Sequence, residues 1–517
     1  VFHLRAATIQ PLNFTTIPAR FDNLPPMLSQ TEIVRLIFGL KLRSLRQARG
    51  LSYQQLADVT GLAVSYLHDI ENGKKYPKAI KTLALAKALG VDYDYLVSLS
   101  GDKKLQPLIE LLNADFLNVV PWQHFGIPVT SLLGLFTNTP DKVTAFISTL
   151  IKIFRSYVMS KESFYTAALR SYQDLYNNYF EELEAAAVAF TNSAADSDFA
   201  TDAGSLEALM LAQFGIRTDR KKLGGNPVLS GLRSYYSEKS KTLYLNKLAP
   251  AQEAFLIARE LGFQQMRLAE RPFETIMRKP VSFDVVLNNF KASYFAAALL
   301  IPEDALAEAL SEIFRQSRWN GVAWLELISR LNATPEMFLQ RLTNVLPRHF
   351  GIDQLFFLRM TYEAASGACE LTKELHLAQL HNPHATVLNE HYCRRWVAVR
   401  SMSQVSALAA TGKYKKPQIE VQISQYWQTH DRYLCISIAK PRQKGSTDSV
   451  SVTIGLAIDK QLAQTAPFVN DPAIPVVTVN TTCERCSITD CRERAAAPVV
   501  VEQALAAKRV DDALNGL

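Results

Sequence analysis

The stretch from Leu51 to Lys78 constrains this chain more than any other. It reads LSYQQLADVTGLAVSYLHDIENGKKYPK. Ser52 is an N-cap residue, and Leu56, Ala57 and Val59 give the short helix after it an apolar side. Gly61 breaks that helix with the backbone freedom a tight turn needs. A second short helix follows, with Leu62, Tyr66, Leu67 and Ile70 at the spacing of one buried face. Asn72-Gly73 ends it, and Pro77 blocks continuation.

Two short helices joined by a glycine turn make a helix-turn-helix, whose second helix can enter the major groove. From Ile33 to about Leu99 the chain resembles the lambda-repressor-like (XRE) DNA-binding domain. The resemblance rests on Leu51-Ser52, Leu56-Ala57, Gly61, Ser65-Tyr66, Ile70-Glu71-Asn72-Gly73, Pro77 and a helix Ile80–Leu89 closed by Gly90. On this reading Ala63, Val64, Ser65 and His68 project towards base edges, with Tyr66 beside them. Ser52, Tyr53, Gln54 and Gln55 open the preceding helix, where amides suit phosphate or base contacts. Arg43, Arg46, Arg49, Lys74, Lys75 and Lys78 are expected to neutralise phosphates of a double-stranded operator.

At 517 residues the chain is too long for one core and implies about three domains. A hydrophobic content of 48% with 20% charged residues is ordinary for a globular protein. The net charge of +7 suits nucleic acid or anionic small ligands without proving either. No uninterrupted apolar run is long enough to span a bilayer, and residues 1–30 lack the layout of a secretion signal. All six cysteines lie after residue 368, which implies a reducing cytoplasm rather than a disulfide framework.

From Leu105 to Ala189 the pattern is helical, with Tyr165, Tyr172, Tyr176, Tyr179 and Phe180 expected on one helix as a packing stripe. Thr191–Ser205 is small and polar, a boundary. Strand-like segments Leu232–Tyr236 and Thr242–Leu245 then precede helices Ala251–Leu268 and Val285–Leu300. This arrangement, with the run Phe295-Ala296-Ala297-Ala298-Leu299-Leu300-Ile301-Pro302, resembles the zinc-peptidase domain of the ImmA/IrrE type. That family carries His-Glu-x-x-His on the first helix and a carboxylate ligand on the second. Here Arg259 and Phe263 stand at the histidine positions and Asn289 at the carboxylate; only Glu260 remains. Arginine cannot ligate zinc and phenylalanine has no lone pair, so the domain reads as a degenerate peptidase fold and not an enzyme.

A wider resemblance covers residues 33–500. It runs through Ser293–Pro302, Leu346-Pro347, Phe356–Arg359, Leu371–His376, Glu390–Trp396 and the terminal cysteines. These are similar to the short-chain fatty acyl-CoA regulators, which include propionate-metabolism and glyoxylate regulators. The resemblance implies that the degenerate domain binds coenzyme A or a short-chain acyl-CoA. Such a ligand needs cations for phosphates and apolar walls for its other parts. Arg217, Arg233, Tyr235, Lys239, Arg259, Tyr294 and Arg359 are the candidates. Arg259, in the centre of the former metal cleft, serves either the ligand or a salt bridge with a carboxylate such as Asp284, and Tyr294 fits core or ligand equally.

Cys483, Cys486 and Cys491 are spaced C-x2-C-x4-C, which fits zinc or a [4Fe–4S] cluster, and also three unligated thiols. Cys393 is the best fourth ligand, with His391 the choice for a zinc site. The resemblance implies an iron–sulfur cluster on Cys393, Cys483, Cys486 and Cys491, its charge offset by Arg394, Arg395, Arg485 and Arg492. Cys369 and Cys435 read as buried small hydrophobes. Strands Ile419–Tyr426, Tyr433–Ala439 and Val450–Ile458, with a helix Lys373–Gln379, suggest an α+β sensory domain of GAF-like type. His376, His381 and His384 read as surface residues.

The expected fold is thus multidomain, mainly α with α+β. It comprises an N-terminal arm (1–30), a helix-turn-helix domain (31–100), a helical linker with dimer contacts (101–200), a degenerate peptidase-like ligand-binding domain (201–350) and the cysteine-cluster domain (351–517). The expected protein is a cytoplasmic transcription regulator, binding its operator as a homodimer under control of an acyl-CoA. The alternatives are a redox- or iron-responsive regulator with a vestigial cleft, or an ImmA-like metalloprotease.

Overall fold

The computed structural model describes residues 30–99, 122–126, 161–194, 200–229, 231–275, 280, 282–378, 390–427 and 429–515. The chain forms two compact units, residues 1–161 and 162–517. Most of the expected linker, residues 101–121 and 127–160, and the arm 1–29 lie outside the described residues.

The first unit holds α1 (Gln30–Ala48), α2 (Tyr53–Thr60), α3 (Val64–Glu71), α4 (Ala79–Ala88) and α5 (Tyr93–Val97). Its core joins Phe38 and Leu42 to Leu56, Ala57, Leu67, Ile70, Leu85, Ala86, Leu89 and Leu96, the apolar stripe of each helix. The Ser52 hydroxyl accepts from the Gln55 amide at 3.2 Å while the Gln55 side chain accepts from the Ser52 amide at 2.8 Å. This reciprocal cap starts α2, and Gly61 at φ 68° ends it. Gly39 lets α1 touch α3: a Cβ there would lie 2.4 Å from the carbonyl oxygen of Ile70 and 2.8 Å from that of Glu71. Both obstacles are backbone and cannot rotate away. Gly39→Ala is therefore expected to destabilise the unit by about 1–3 kcal/mol, read as faster amide exchange in α1 and α3; unchanged exchange would show that α1 has slack to move.

In the second unit, α6 (Lys161–Leu175), α7 (Glu181–Ala194) and α8 (Ala203–Phe214) lead to a three-stranded sheet. Its strands are β1 (Arg217–Asp219), β2 (Ser234–Ser237) and β3 (Thr242–Leu245), in the order β1-β3-β2. Next come α9 (Pro250–Gln265), α10 (Phe283–Leu300), α11 (Glu303–Phe314), α12 (Gly321–Arg330) and α13 (Pro335–Phe350). Gly262 brings α9 close to α10, since a Cβ there would meet the Phe295 ring at 2.8 Å. No single described helix is long and apolar enough to cross a membrane.

The rest is an α+β layer. It contains β4 (Leu355–Tyr362), β5 (Cys369–His376), α14 (Val397–Ala410), β6 (Gln418–Tyr426), β7 (Arg432–Pro441), β8 (Ser449–Ala457), α15 (Lys460–Thr465), β9 (Val476–Val479) and α16 (Val499–Leu514). The six strands run in the order β5-β4-β8-β7-β6-β9, antiparallel except for β6 with β9. β7 and β8 pair as an antiparallel hairpin, and α14 packs Val397, Met402 and Val405 onto the sheet beside Phe356 and Tyr433.

Two local expectations are corrected. The helix placed at Lys373–Gln379 is strand β5, in register with β4 through Leu358↔Glu374 and Phe357↔Leu375. Pairing against an apolar neighbour strand overrides the helix propensity of Lys373-Glu374-Leu375. His376 is accordingly not a surface residue: its side chain is 14% exposed and 3.5 Å from Glu374, while His381 and His384 lie outside the described residues. The aromatic stripe does not follow one helix. α6 ends at Leu175, and Asn177 and Asn178 adopt φ 49° and 51°. That turn folds Phe180 back to stack on Tyr172 at 5.5 Å, so the aromatics do pack together, across a bend.

Candidate functional site

In the first unit, α3 and the start of α2 present Gln54, Ala63, Val64, Ser65 and His68 to solvent, with Lys74, Lys75 and Lys78 beyond α3. The surface expected to face DNA is exposed, though several of its residues have other duties. Lys75 pairs with Asp69 at 2.8 Å, and Tyr66 lies under Lys81 at 4.1 Å. Ser52 and Gln55 are spent on the cap.

Arg46 is a correction. It was expected to bind phosphate but is buried, holding Glu71 through Nε and Nη2 at 2.7 and 2.9 Å. The Tyr53 hydroxyl donates to the same carboxylate at 2.7 Å, and the guanidinium lies 4.1 Å from the Tyr53 ring centre. Tyr53 and Arg46 thus brace α1, α2 and α3. Arg43 is half-buried and Arg49 exposed.

In the second unit, the one carboxylate left from the zinc motif, Glu260, is taken up by an internal ion pair. Glu260 accepts from Arg271 Nη1 at 2.7 Å and Nη2 at 2.5 Å, and from Gln264 at 2.8 Å. The Arg271 guanidinium lies 3.7 Å from the centre of the Phe263 ring, which stands where a histidine ligand would be. The zinc that such a fold implies does not fit. Its ligand positions hold a cation, a hydrocarbon ring and an amide, and the one remaining carboxylate already has an arginine.

Beside this pair opens a cavity of about 350 Å³, within the size of small-molecule sites. Leu169, Phe255, Leu256, Phe290, Ala297, Met337 and Phe357 supply apolar wall, and Arg233, Arg259, Asn289 and Tyr294 supply polar groups. Arg259 is 7% exposed, and among the described residues no carboxylate or carbonyl bonds to it. Burial, helped by the like charge of Arg271, lowers its pKa to about 10. The expected alternative, a bridge to Asp284, is not formed. Asn289 leaves its side-chain oxygen buried without a donor.

Tyr294 is buried between helices and also faces the cavity. Its hydroxyl donates to Glu184 at 2.6 Å. Burial and that carboxylate push its pKa well above the usual value, so it remains a donor. Arg359 stands at the rim, 3.3 Å from Glu336, a cavity residue also 3.7 Å from Lys373. Arg217, Tyr235 and Lys239 are corrections: none lines the cavity. Tyr235 stacks on Tyr244 on the outer side of β2, Arg217 is exposed on β1, and Lys239 is in the turn after β2. Strand alternation puts Arg217 and Tyr235 on the exposed face of this sheet, opposite buried Tyr236 and Leu243. Lys373 joins the lining unforeseen, because its segment was read as a helix.

The four thiols Cys393, Cys483, Cys486 and Cys491 line one small cavity. Tyr392 bridges Thr482, and the Cys483 amide donates to the His391 carbonyl at 2.9 Å, which joins segments ninety residues apart. His391 does not line the cavity; its Nδ1 is 2.7 Å from Glu484. Arg394 and Arg395 do, whereas Arg485 pairs with Glu390 at 2.8 Å and Arg492 is not in the lining. Arg494, unremarked in the sequence, lines the cavity and donates to the carbonyls of Cys483, Cys486 and Ile488. Burial raises the Cys393 thiol to about 11. Among the described residues, the group whose metal-ligand atoms all lie within 4.8 Å is Glu303, Asp304 and His349; the thiols are not so close.

These features define a helix-turn-helix unit and a zincin-like domain whose zinc-ligand positions hold Arg259, Phe263 and Asn289. The family "Helix-turn-helix domain" matches residues 37–97, and the "IrrE N-terminal-like domain" matches residues 212–343. The uncharacterized HTH-type transcriptional regulator YobD of Bacillus subtilis is 31% identical over 106 residues, 19% of this chain and 93% of its own length. The propionyl-CoA carboxylase regulator of Cereibacter sphaeroides is 24% identical over 294 residues, 54% of this chain. This chain spans 60% of that relative's length. A Mycobacterium tuberculosis transcriptional regulator of known structure aligns with TM-score 0.46 and 21% identity, over 63% of this chain and 92% of its own. The chain belongs to the helix-turn-helix transcriptional regulators of XRE type.

Proposed function

We propose that this regulator binds its operator as a homodimer, with an affinity set by a coenzyme A thioester held in the α9–α10 cavity. The observation that carries the proposal is Arg259: a buried guanidinium that no carboxylate or carbonyl among the described residues bonds, bordering a cavity of ligand size. An unpaired buried charge is costly unless something supplies its counterpart. The apolar wall from Phe255 to Phe357 suits an acyl or pantetheine chain, and the cations Arg233, Arg359 and Lys373 suit phosphates nearer the opening. The Cereibacter relative's name points the same way.

For the ligand to regulate, it must bind the DNA-competent and incompetent states with different free energy. Adding coenzyme A thioesters of short acids, propionyl-CoA and malonyl-CoA, to the full chain is expected to change operator affinity by about 5–150-fold with at least one of them, the usual range of such coupling. Free propionate is expected to leave it unchanged. Equal operator affinity with and without the thioester, at saturating thioester, would end the proposal.

A second reading concerns the thiols, and we propose that Cys393, Cys483, Cys486 and Cys491 hold a [4Fe–4S] cluster. Its support is that all four thiols line one cavity, although Cys393 lies ninety residues before the others. Arg394, Arg395 and Arg494 would balance the charge of the ligated group. The protein purified without oxygen is expected to contain about four iron and four sulfide per chain. Cys483→Ser is expected to lose most of both; zinc in their place would refute the assignment. Should operator affinity respond to air and not to the thioester, the cluster rather than the cavity is the sensor.

A further inference from the structure

The acyl-CoA reading leaves open what occupies the buried end of the cavity, and the charges there are unbalanced. Two guanidiniums, Arg259 and Arg271, meet one carboxylate, Glu260, and Arg271 holds both of its oxygens. The two carboxylates elsewhere in the lining are committed. Glu336 lies 3.3 Å from Arg359 and 3.7 Å from Lys373, and Glu374 lies 2.6 Å from Arg170. Arg259 faces Arg271 as a like charge, is 93% buried by its 7% exposure, and sits next to the Phe263 ring, 5.7 Å from its centre. A ring face offsets little of a buried charge, and a neutral thioester carbonyl offers a partial charge where a full one is missing.

Resting on the reading that the cavity takes a coenzyme A thioester, we propose that the sensed ligand is a carboxyacyl thioester, whose terminal carboxylate pairs with Arg259. This departs from the plain alkyl-acyl ligand that the family resemblance implies. Guanidinium and carboxylate match as a two-bond fork. The apolar residues around them, Phe255, Leu256 and Phe290 among others, then enclose the short carbon chain and exclude water. A pair formed in such surroundings discriminates strongly, because the ligand lacking the charge leaves Arg259 buried alone.

The test compares two thioesters of nearly equal shape, malonyl-CoA and isovaleryl-CoA, which differ in a carboxylate against an isopropyl end. Binding to the full chain is measured by calorimetry, with unacylated coenzyme A and free malonate as separate arms. Malonyl-CoA is expected to bind at least about tenfold more tightly than isovaleryl-CoA. In Arg259→Gln the preference is expected to vanish, while Arg259→Lys keeps part of it. A melting curve of each variant without ligand establishes that it is folded; if Arg259→Gln is not, the lysine variant carries the comparison.

Isovaleryl-CoA binding the native chain as tightly as malonyl-CoA would overturn the proposal. So would coenzyme A matching malonyl-CoA, since the anion beside Arg259 would then be a phosphate. Malonate binding with no thioester binding would keep the carboxylate site but end the thioester reading. If none of the four binds, both readings fall together.

Discussion

Glu71→Ala will unfold the helix-turn-helix unit and abolish operator binding. Glu71 and Arg46 are 4% and 8% exposed and joined by two hydrogen bonds, with Tyr53 donating to the same carboxylate. Removing the carboxylate leaves a buried guanidinium unpaired and a phenol without its acceptor. Breaking a buried pair in this way costs about 3–5 kcal/mol. A unit of this size has only roughly 3–10 kcal/mol to lose. Hydrogen exchange on the full chain is expected to show collapse of protection in α1–α4, with protection in β7 and β8 retained. Glu71→Gln keeps the shape and loses the charge, and should fall between. Native protection in the alanine variant would mean that Arg46 finds water, which contradicts its burial.

The second large effect is expected at Glu184. Arg341, with a side chain 0% exposed, holds this carboxylate through two bonds of 2.5 and 2.7 Å and reaches the Ile301 carbonyl at 2.9 Å. Tyr294 adds a third bond at 2.6 Å, so α7, α10 and α13 meet at one carboxylate beside the ligand cavity. Glu184→Ala should destabilise the second unit by about 3–5 kcal/mol and weaken any ligand that leans on Tyr294. The double variant Glu184→Leu with Arg341→Met separates charge from shape. It should regain most of the lost stability, because an apolar pair of similar volume often replaces a buried ion pair at little cost. A double variant as unstable as the single one would show that the hydrogen-bonded charges themselves, and not only the filling of the space, hold the three helices together.

Glu71 and Glu184 were invisible as structural residues for the same reason that Arg46 was misjudged. A basic residue on an amphipathic helix reads as solvated or DNA-facing, since periodicity reports which positions are apolar and not which polar positions are covered. Arg46 lies one helical turn from Leu42, and only the arrival of α3 decides that Glu71 meets it. Pairing of Cys393 with the terminal cysteines was legible because ligand chemistry restricts the choice of residue so tightly. The role of Arg494 was not, because it donates to backbone carbonyls, which leave no trace in residue type.

Motifs whose logic is local were set by the sequence alone. Ser52 with Gln55, Gly61 and Pro77 dictate the helix-turn-helix, and Arg259 with Phe263 and Asn289 replace the ligands that a His-Glu-x-x-His zinc site needs. Each follows from backbone freedom, side-chain donors or lone pairs, which a residue carries wherever it lies. The tertiary structure alone decided that Lys373-Glu374-Leu375 is a strand, that Arg271 pairs with Glu260, and that Arg259 has no counter-ion bonded to it among the described residues. Those outcomes depend on which distant segments come together and on how much water they exclude, and a charge's cost is set by that exclusion.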